Sequence, residues 1–219
     1  KSSFVKQAFI GHEIVVKTDT WNKNEVQLMA FKKNKNEIEF TYLLPFSSKR
    51  ALIETTVFSS SPSLRDIETR HQALLKKYGP YSIQRKEKAI IPMAIISPDD
   101  LRGVLKIGTS AGMVRASSGY SMRRIANWVL KLNYSEISID NLPQYKYQPS
   151  PLLNWLDKIF LNVIYNFPEK GPYLFVTLFS KADTSALIRF LSDDASKFDL
   201  INILASMPKI IMLKGLFKK

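Results

Sequence analysis

Gly108, Ser110, Ala111, Gly112, Met113 and Gly119 fall within one run, 108–121, in which two small-residue turns lead into a helical pattern over 122–132. Glycines remove side chains where backbone must come close, and the N-terminus of a following helix offers unpaired N–H groups to negative charge. Ser117 and Ser118 suit the helix cap, and the apolar stretch 103–107 reads as a short buried strand. Strand, turn and helix in that order make a place where backbone presses against a flat or anionic ligand, although an ordinary glycine-rich turn has the same letters. Gly108-Thr109-Ser110-Ala111-Gly112 also matches the G-x-S-x-G nucleophile elbow. In that fold the catalytic histidine follows the serine, whereas His12 and His71, the only two histidines, both precede Ser110.

The second candidate is a carboxylate. In 51–58, strand alternation puts Leu52, Glu54, Thr56 and Phe58 on one face and Ala51, Ile53, Thr55 and Val57 on the other. Glu54 is thus flanked by hydrophobes. Burial disfavours the ionised form, so its pKa should rise above about 4.3 unless a cation pairs with it. A carboxyl kept protonated near neutral pH is a proton donor. Spacing alone favours a simpler reading, an edge-strand glutamate turned to water or paired with Arg50 or a lysine. Asp99-Asp100 and Asp193-Asp194 do not extend into a metal-binding spacing and read as surface acids or caps.

The elements that must position these residues follow from periodicity. Strand patterns occupy 8–16, 25–31, 38–46, 51–58 and 81–91, with Asn34-Lys35-Asn36 closing a hairpin. One helix covers the sheet at 63–78, with Leu64, Ile67, His71, Leu74 and Leu75 on one face and Gly79-Pro80 ending it. After residue 133 the pattern turns helical. Leu152, Trp155, Leu156, Ile159, Phe160, Val163 and Ile164 fall at helix spacing, and further helices are expected at 173–179, 183–191 (capped by Asp183 or Thr184) and 198–206. Apolar residues and lysines alternate in 207–219, which suits a lipid surface or, equally, packing with solvated lysines.

The chain has 219 residues, 32 Lys and Arg against 19 Asp and Glu, and a net charge of +13, which attracts anionic partners such as nucleic acid or phospholipid headgroups. It has no cysteine, so disulfides and thiolate ligands are excluded, and no stretch of about 20 apolar residues that would span a bilayer. Strand-like sequence begins almost at once after Lys1, and the chain reads as a piece of something longer.

Five ordered blocks resemble the C-terminal half of the flavin-dependent lycopene cyclases. They are Phe9-Ile10-Gly11-His12-Glu13-Ile14, the run from Tyr42-Leu43-Leu44-Pro45-Phe46-Ser47 into Leu52-Ile53-Glu54-Thr55-Thr56, the turn 108–120 ending in Ser118-Gly119-Tyr120, Leu156-Asp157-Lys158-Ile159-Phe160-Leu161, and Arg189-Phe190-Leu191-Ser192-Asp193. The resemblance implies an α/β flavoprotein, α+β in this portion: a Rossmann-type fold lacking its N-terminal βαβ unit, with a substrate-cavity antiparallel sheet at 1–96, a second FAD-contacting segment at 97–133 and a helical C-terminal region at 134–219. It implies lycopene as substrate, cyclised to a β-ionone ring without net redox change by reduced FAD that NAD(P)H maintains. Glu54 matches the glutamate of the family's acidic E-[ED]-T motif, and Gly108, Ser110, Ala111, Gly112, Met113 and Gly119 match the segment lining the isoalloxazine. Phe40 and Tyr42 would offer ring faces to a cation.

Thr55 stands where the family usually has a second acid, Ala30 where an Asp is common, and Ala116 where a Pro is frequent. No G-x-G-x-x-G occurs, so the pyrophosphate half of the flavin site is expected in a missing N-terminal FAD-binding domain. The expected setting is bacterial and cytoplasmic, with peripheral attachment to a membrane surface. Another FAD-dependent isoprenoid reductase or hydroxylase, or an inactive membrane-binding remnant, is the enzymatic alternative. A nucleic-acid module is disfavoured, because the aromatics sit in apolar runs and not among Lys/Arg pairs.

Overall fold

The structure, a computed structural model, describes residues 4–96, 104–132, 138 and 140–217. It divides into two compact units, residues 1–92 with 167–172 and residues 93–166 with 173–219.

The first unit is a mixed α/β layer. Strands β1 (Val5–Val16), β2 (Gln27–Lys32), β3 (Ile38–Pro45), β4 (Arg50–Ser59) and β5 (Tyr81–Met93) form one sheet in the order β2-β3-β4-β1-β5. The β1–β4, β2–β3 and β3–β4 ladders are antiparallel. The hairpin at Asn34 forms as expected, with the Asn34 side-chain oxygen accepting from the Asn36 N–H at 3.0 Å. β2 starts later than its pattern suggests, because Glu25 is held in a turn by its N–H bond to the Asn22 carbonyl at 3.1 Å; within the strand the register shifts between Gln27 and Ala30, where Met29 has φ +51°.

Helix α1 (Leu64–Leu75) covers one face. Ser63 caps it by accepting from the Asp66 N–H, and Ile67, His71 and Leu75 recur at one-turn spacing to face the sheet. Under it lie Ala8, Ile10 and Val57 at one end and Ile14, Val16 and Ile53 at the other. Glu39, almost fully buried on this face, is clasped by Lys32 and by Arg70 of α1.

His12 and His71 meet edge to face beneath the helix, with ring centroids 4.8 Å apart, and His71 Nδ1 shares a hydrogen bond with the Thr55 hydroxyl at 3.0 Å. Burial, then the neighbouring His12, brings the His71 pKa down from 6.5 to about 4, with Glu68 opposing and Lys32 adding slightly. Between those values the unfolded chain binds more protons than the folded one. The sheet unit therefore keeps this stability above pH 6.5 and loses it as pH falls toward 4, by up to about 3 kcal/mol. Urea unfolding at pH 7.5 and pH 4.5 should show the loss, and a His71→Leu variant should lack that share of it. An equal pH dependence in both proteins would contradict the assignment.

The second unit is helical. It contains α2 (Met122–Val129), α3 (Pro151–Asn166), most of α4 (Gly171–Lys181), α5 (Thr184–Leu191), α6 (Lys197–Ser206) and α7 (Lys209–Phe217). Asp183 caps α5 as expected, accepting from the Ala186 N–H, and Ser196 with Asp199 forms a capping box on α6. α7 lies close on α3: a Cβ at Gly215 would sit 2.4 Å from Val163 Cγ2 and 2.6 Å from the Ile159 carbonyl oxygen. Leu152 and Trp155, expected on the packed face of α3, are half exposed, while Ile159, Phe160, Val163 and Ile164 carry the core.

Two local expectations are corrected. Residues 104–107 form no strand, and Val104 and Ile107 are at least half exposed; the rest of that segment, with Asp99-Asp100, lies outside the described residues. The helix cap is Ser121, not Ser117 or Ser118. Ser117 instead donates its hydroxyl to Asp157 at 2.7 Å, drawn by a buried carboxylate 40 residues away that no local pattern reveals.

Candidate active site

Glu54 sits at the middle of β4, itself the central strand of the sheet. That position overturns the edge-strand reading. β4 is buried along both faces, with Ala51, Ile53, Thr55 and Val57 toward α1 and Leu52, Thr56 and Phe58 on the side of Glu54. Nor does Arg50 pair with Glu54: it goes to Glu13 at 2.6 Å. Among the described residues, no ion pair to Glu54 is found. Its Oε1 accepts from the Thr56 hydroxyl at 2.5 Å. Desolvation raises its pKa, the Thr56 hydrogen bond opposes, and the nearby Glu87 charge raises it further.

Aromatic rings surround this carboxyl on the same face. Tyr42 is the register partner of Glu54 and Phe40 that of Thr56. Phe40 packs edge-on against Phe31, Tyr42 and Phe58, with centroids 5.3–5.6 Å apart. Burial, then the adjacent Glu54, pushes the Tyr42 phenol up to about 12. Thr55, by contrast, points to the α1 side, where it meets His71. A side chain at position 55 therefore does not share the face of Glu54. A cleft of about 620 Å³ opens beside the β2–β3 hairpin, lined by Phe31, Lys33, Lys35 and Pro172 among others, and Glu54 is not part of its wall.

The glycine turn lies in the second unit. Gly108–Ala111 is a single 3₁₀ turn, and Gly108, Gly112 and Gly119 all have φ between +63° and +71°, which glycine adopts without strain. Gly112 is fixed twice over, because a Cβ there would lie 2.5 Å from the Ile96 carbonyl oxygen. A Cβ at Gly108 would meet nothing within 4 Å, so the backbone presents an uncovered face there. Met113 and Ala111 are buried, and the Met113 sulfur accepts from the Gly108 N–H. The Ser110 hydroxyl donates to the Ile107 carbonyl at 2.8 Å and His71 Nδ1 bonds Thr55, so neither makes the serine–histidine hydrogen bond that the hydrolase reading needs. An open, side-chain-free backbone face fits one side of a flat ring system.

Arg115 holds this turn in place, a role the sequence did not signal. Its guanidinium, 1% exposed, bonds Asp157 at 3.3 Å, the Phe190 carbonyl at 2.5 Å and Asp193 at 3.4 Å, and stacks 4.0 Å from the Phe190 ring. Asp193 also receives Arg124 of α2. Expected as a surface acid or cap, Asp193 lies just past the end of α5 at φ +57°, a C-terminal capping position, with Asp194 N–H returning to the Arg189 carbonyl. Three separated blocks of sequence, around Arg115, Asp157 and Asp193, thus meet at one buried ionic cluster.

Comparison with known proteins places this arrangement. The family model described as Lycopene cyclase protein matches residues 2–216. Lycopene beta cyclase, chloroplastic/chromoplastic, of Capsicum annuum is 35% identical over 131 residues, covering 55% of this chain and 26% of that protein. Lycopene beta cyclase, chloroplastic, of Arabidopsis thaliana is 40% identical over 89 residues, covering 39% and 18%. The chain thus spans about a quarter or less of the length of these relatives. A solved geranylgeranyl bacteriochlorophyll reductase-like protein from Thermoplasma acidophilum is loosely similar, with TM-score 0.48 and 10% identity over 97% of this chain and 54% of that one. The bacterial, cytoplasmic setting expected from the sequence is corrected by these relatives, which are plant proteins of chloroplasts and chromoplasts. With its family match running nearly end to end, the chain belongs to the lycopene cyclase family.

Proposed function

We propose that the protein containing this chain cyclises the linear end group of lycopene to a β-ionone ring, with Glu54 as the proton donor. The observation that carries this reading is a carboxyl at the centre of a doubly buried strand, with no cation beside it among the described residues, raised toward its protonated form. Glu54 gives its proton to the terminal double bond. The resulting cation is attacked by a nearby double bond of the same polyene, which closes the six-membered ring, and an adjacent proton is lost. No electrons are gained or lost overall. Tyr42 and the rings around Phe40 supply an apolar, electron-rich wall near the positive charge.

Gly108, Ser110, Ala111, Gly112, Met113 and Gly119 are assigned to one side of a flavin isoalloxazine, whose other contacts, including the pyrophosphate, belong to sequence upstream. Reduced FAD, kept so by NAD(P)H, would supply electron density and proton exchange to the reaction. The chain's part is to hold a backbone face open at Gly108 and to keep the turn rigid through Arg115. Pigment formation by the full-length enzyme in lycopene-producing bacteria, beside a Glu54→Gln control, tests the reading; cells that stay red with the intact enzyme would remove it.

Membrane contact is assigned to α6 and α7. No single helix among the described residues is long and apolar enough to cross a membrane, but these two pass that test together across a 101° bend. Phe198, Ile210 and Phe217 are at least three-quarters exposed, and the chain carries net charge +13. Full-length protein should be retained on vesicles containing anionic lipid, be released as salt rises, and lose most retention on Phe198→Asp with Phe217→Asp. Retention indifferent to both would refute the assignment.

A further inference from the structure

The face of the sheet that carries Glu54 holds more acid than base. Gly11 of β1 is the register partner of Glu54, and opposite residues of an antiparallel pair project to the same side. A Cβ at Gly11 would lie 2.9 Å from both Cγ and Oε1 of Glu87. The missing side chain is thus the space through which Glu87, reaching from β5 across β1, lays its carboxyl on the face of Glu54. A residue larger than glycine at position 11 would force it away.

Among the described residues, the arginines on this face are already committed. Arg85 binds Glu87 Oε2 through Nη1 at 2.7 Å and approaches Glu13 through Nε at 3.5 Å. Glu13 also takes Arg50 at 2.6 Å. Tyr42 faces Glu54 from β3 and Thr56 from its own strand, and neither brings positive charge. Lys86, next to Glu87 in sequence, acts on His12 on the α1 side. Three carboxyls, Glu13, Glu54 and Glu87, therefore share two guanidiniums, and Glu54 is the one with neither.

We propose that Glu87 is a positioning residue for Glu54: laid across Gly11 and held by Arg85, it completes a three-acid, two-arginine face on which Glu54 is the group left carrying the proton. This rests on the assignment of Glu54 as the acid. Glu87 acts through charge, without touching the polyene. Once Glu54 has released its proton, the same like charge favours its recapture and so prepares the next turnover. The direction of the Glu54 shift, with Glu87 among its causes, agrees with this geometry.

The test uses the full-length enzyme as parent, Glu87→Gln and Arg85→Gln. The Glu54 carboxyl stretch is titrated by infrared difference against the same protein carrying Glu54→Gln, and the pH dependence of cyclisation is measured alongside. Removing the negative charge in Glu87→Gln should move the Glu54 titration down by about one pH unit, with the alkaline limb of the rate profile following. Arg85→Gln, which leaves Glu87 and Glu13 less neutralised, should move both upward. A Glu54 titration unmoved in Glu87→Gln would overturn the proposal. A titration that moves while the rate profile stays fixed would uphold the coupling and refute Glu54 as the catalytic acid, so the two claims fail separately.

Discussion

Glu54→Gln in the full-length enzyme leaves lycopene-producing cells red, with cyclisation down by about 10²–10⁴-fold, while the protein accumulates and unfolds as the parent does. The size of the loss is that of removing a general acid whose proton starts the reaction. The unchanged stability follows from the site. Glu54 has no ion partner to lose, and the glutamine oxygen still accepts from the Thr56 hydroxyl in the same volume. An amide avoids the desolvation that the carboxylate suffers, so the variant should be as stable as the parent or slightly more so. Carotene analysis beside a thermal melt makes the distinction. Normal ring formation by the variant would remove Glu54 from the chemistry, and loss of both product and fold would mean that the residue is structural.

Arg115→Ala should be the most damaging single change in the helical unit. Among the described residues, the substitution strands Asp157, 3% exposed, with only the Ser117 hydroxyl, and takes the Arg115 guanidinium from the Phe190 carbonyl. Breaking a buried ion pair by removing one partner costs about 3–5 kcal/mol. At this size that corresponds to a fall in melting temperature of about 10 °C or more. Arg115→Lys should recover little, since one ammonium cannot reach Asp157, Asp193 and the Phe190 carbonyl together. Because Arg115 also accepts the Gly119 N–H on its carbonyl and donates its own N–H to the Tyr120 carbonyl, the Gly108 turn loosens with it. Flavin should then leave the variant more readily than the parent on gel filtration. An Arg115→Ala protein with unaltered melting temperature would show the cluster to be dispensable.

Local physics made much of this legible before any coordinates. Alternation fixed the faces of β4, Asn34 announced its hairpin, and Asp183 capped the helix that begins beside it. What escaped depends on which strands and helices become neighbours. The sequence places Glu54 among hydrophobes, but only the order β2-β3-β4-β1-β5 makes its strand central and removes Arg50 to Glu13. Ser117 looked like a cap because serine usually is one; a carboxylate from α3 outcompeted that role. Residues 104–107 are apolar enough for a strand yet form none among the described residues. Arg115 was invisible because its partners lie 42 and 78 residues away. Two of them, Asp157 and Asp193, stand inside blocks that carried the family resemblance, which gives those blocks a shared structural reason.

The departure at Thr55 also changes meaning. A hydroxyl there bonds His71 beneath α1, so whatever it contributes, it contributes to the helix-covered side and not to the carboxyl of Glu54.

The central claim is that Glu54 holds its proton to higher pH than an ordinary glutamate, because burial disfavours its charge and no cation offsets it among the described residues. The infrared difference between parent and Glu54→Gln full-length protein, recorded from pH 4 to pH 8, reads it directly. The account predicts a protonated-carboxyl band that outlasts those of the exposed carboxyls as the pH rises. A Glu54 that ionises together with them would contradict it.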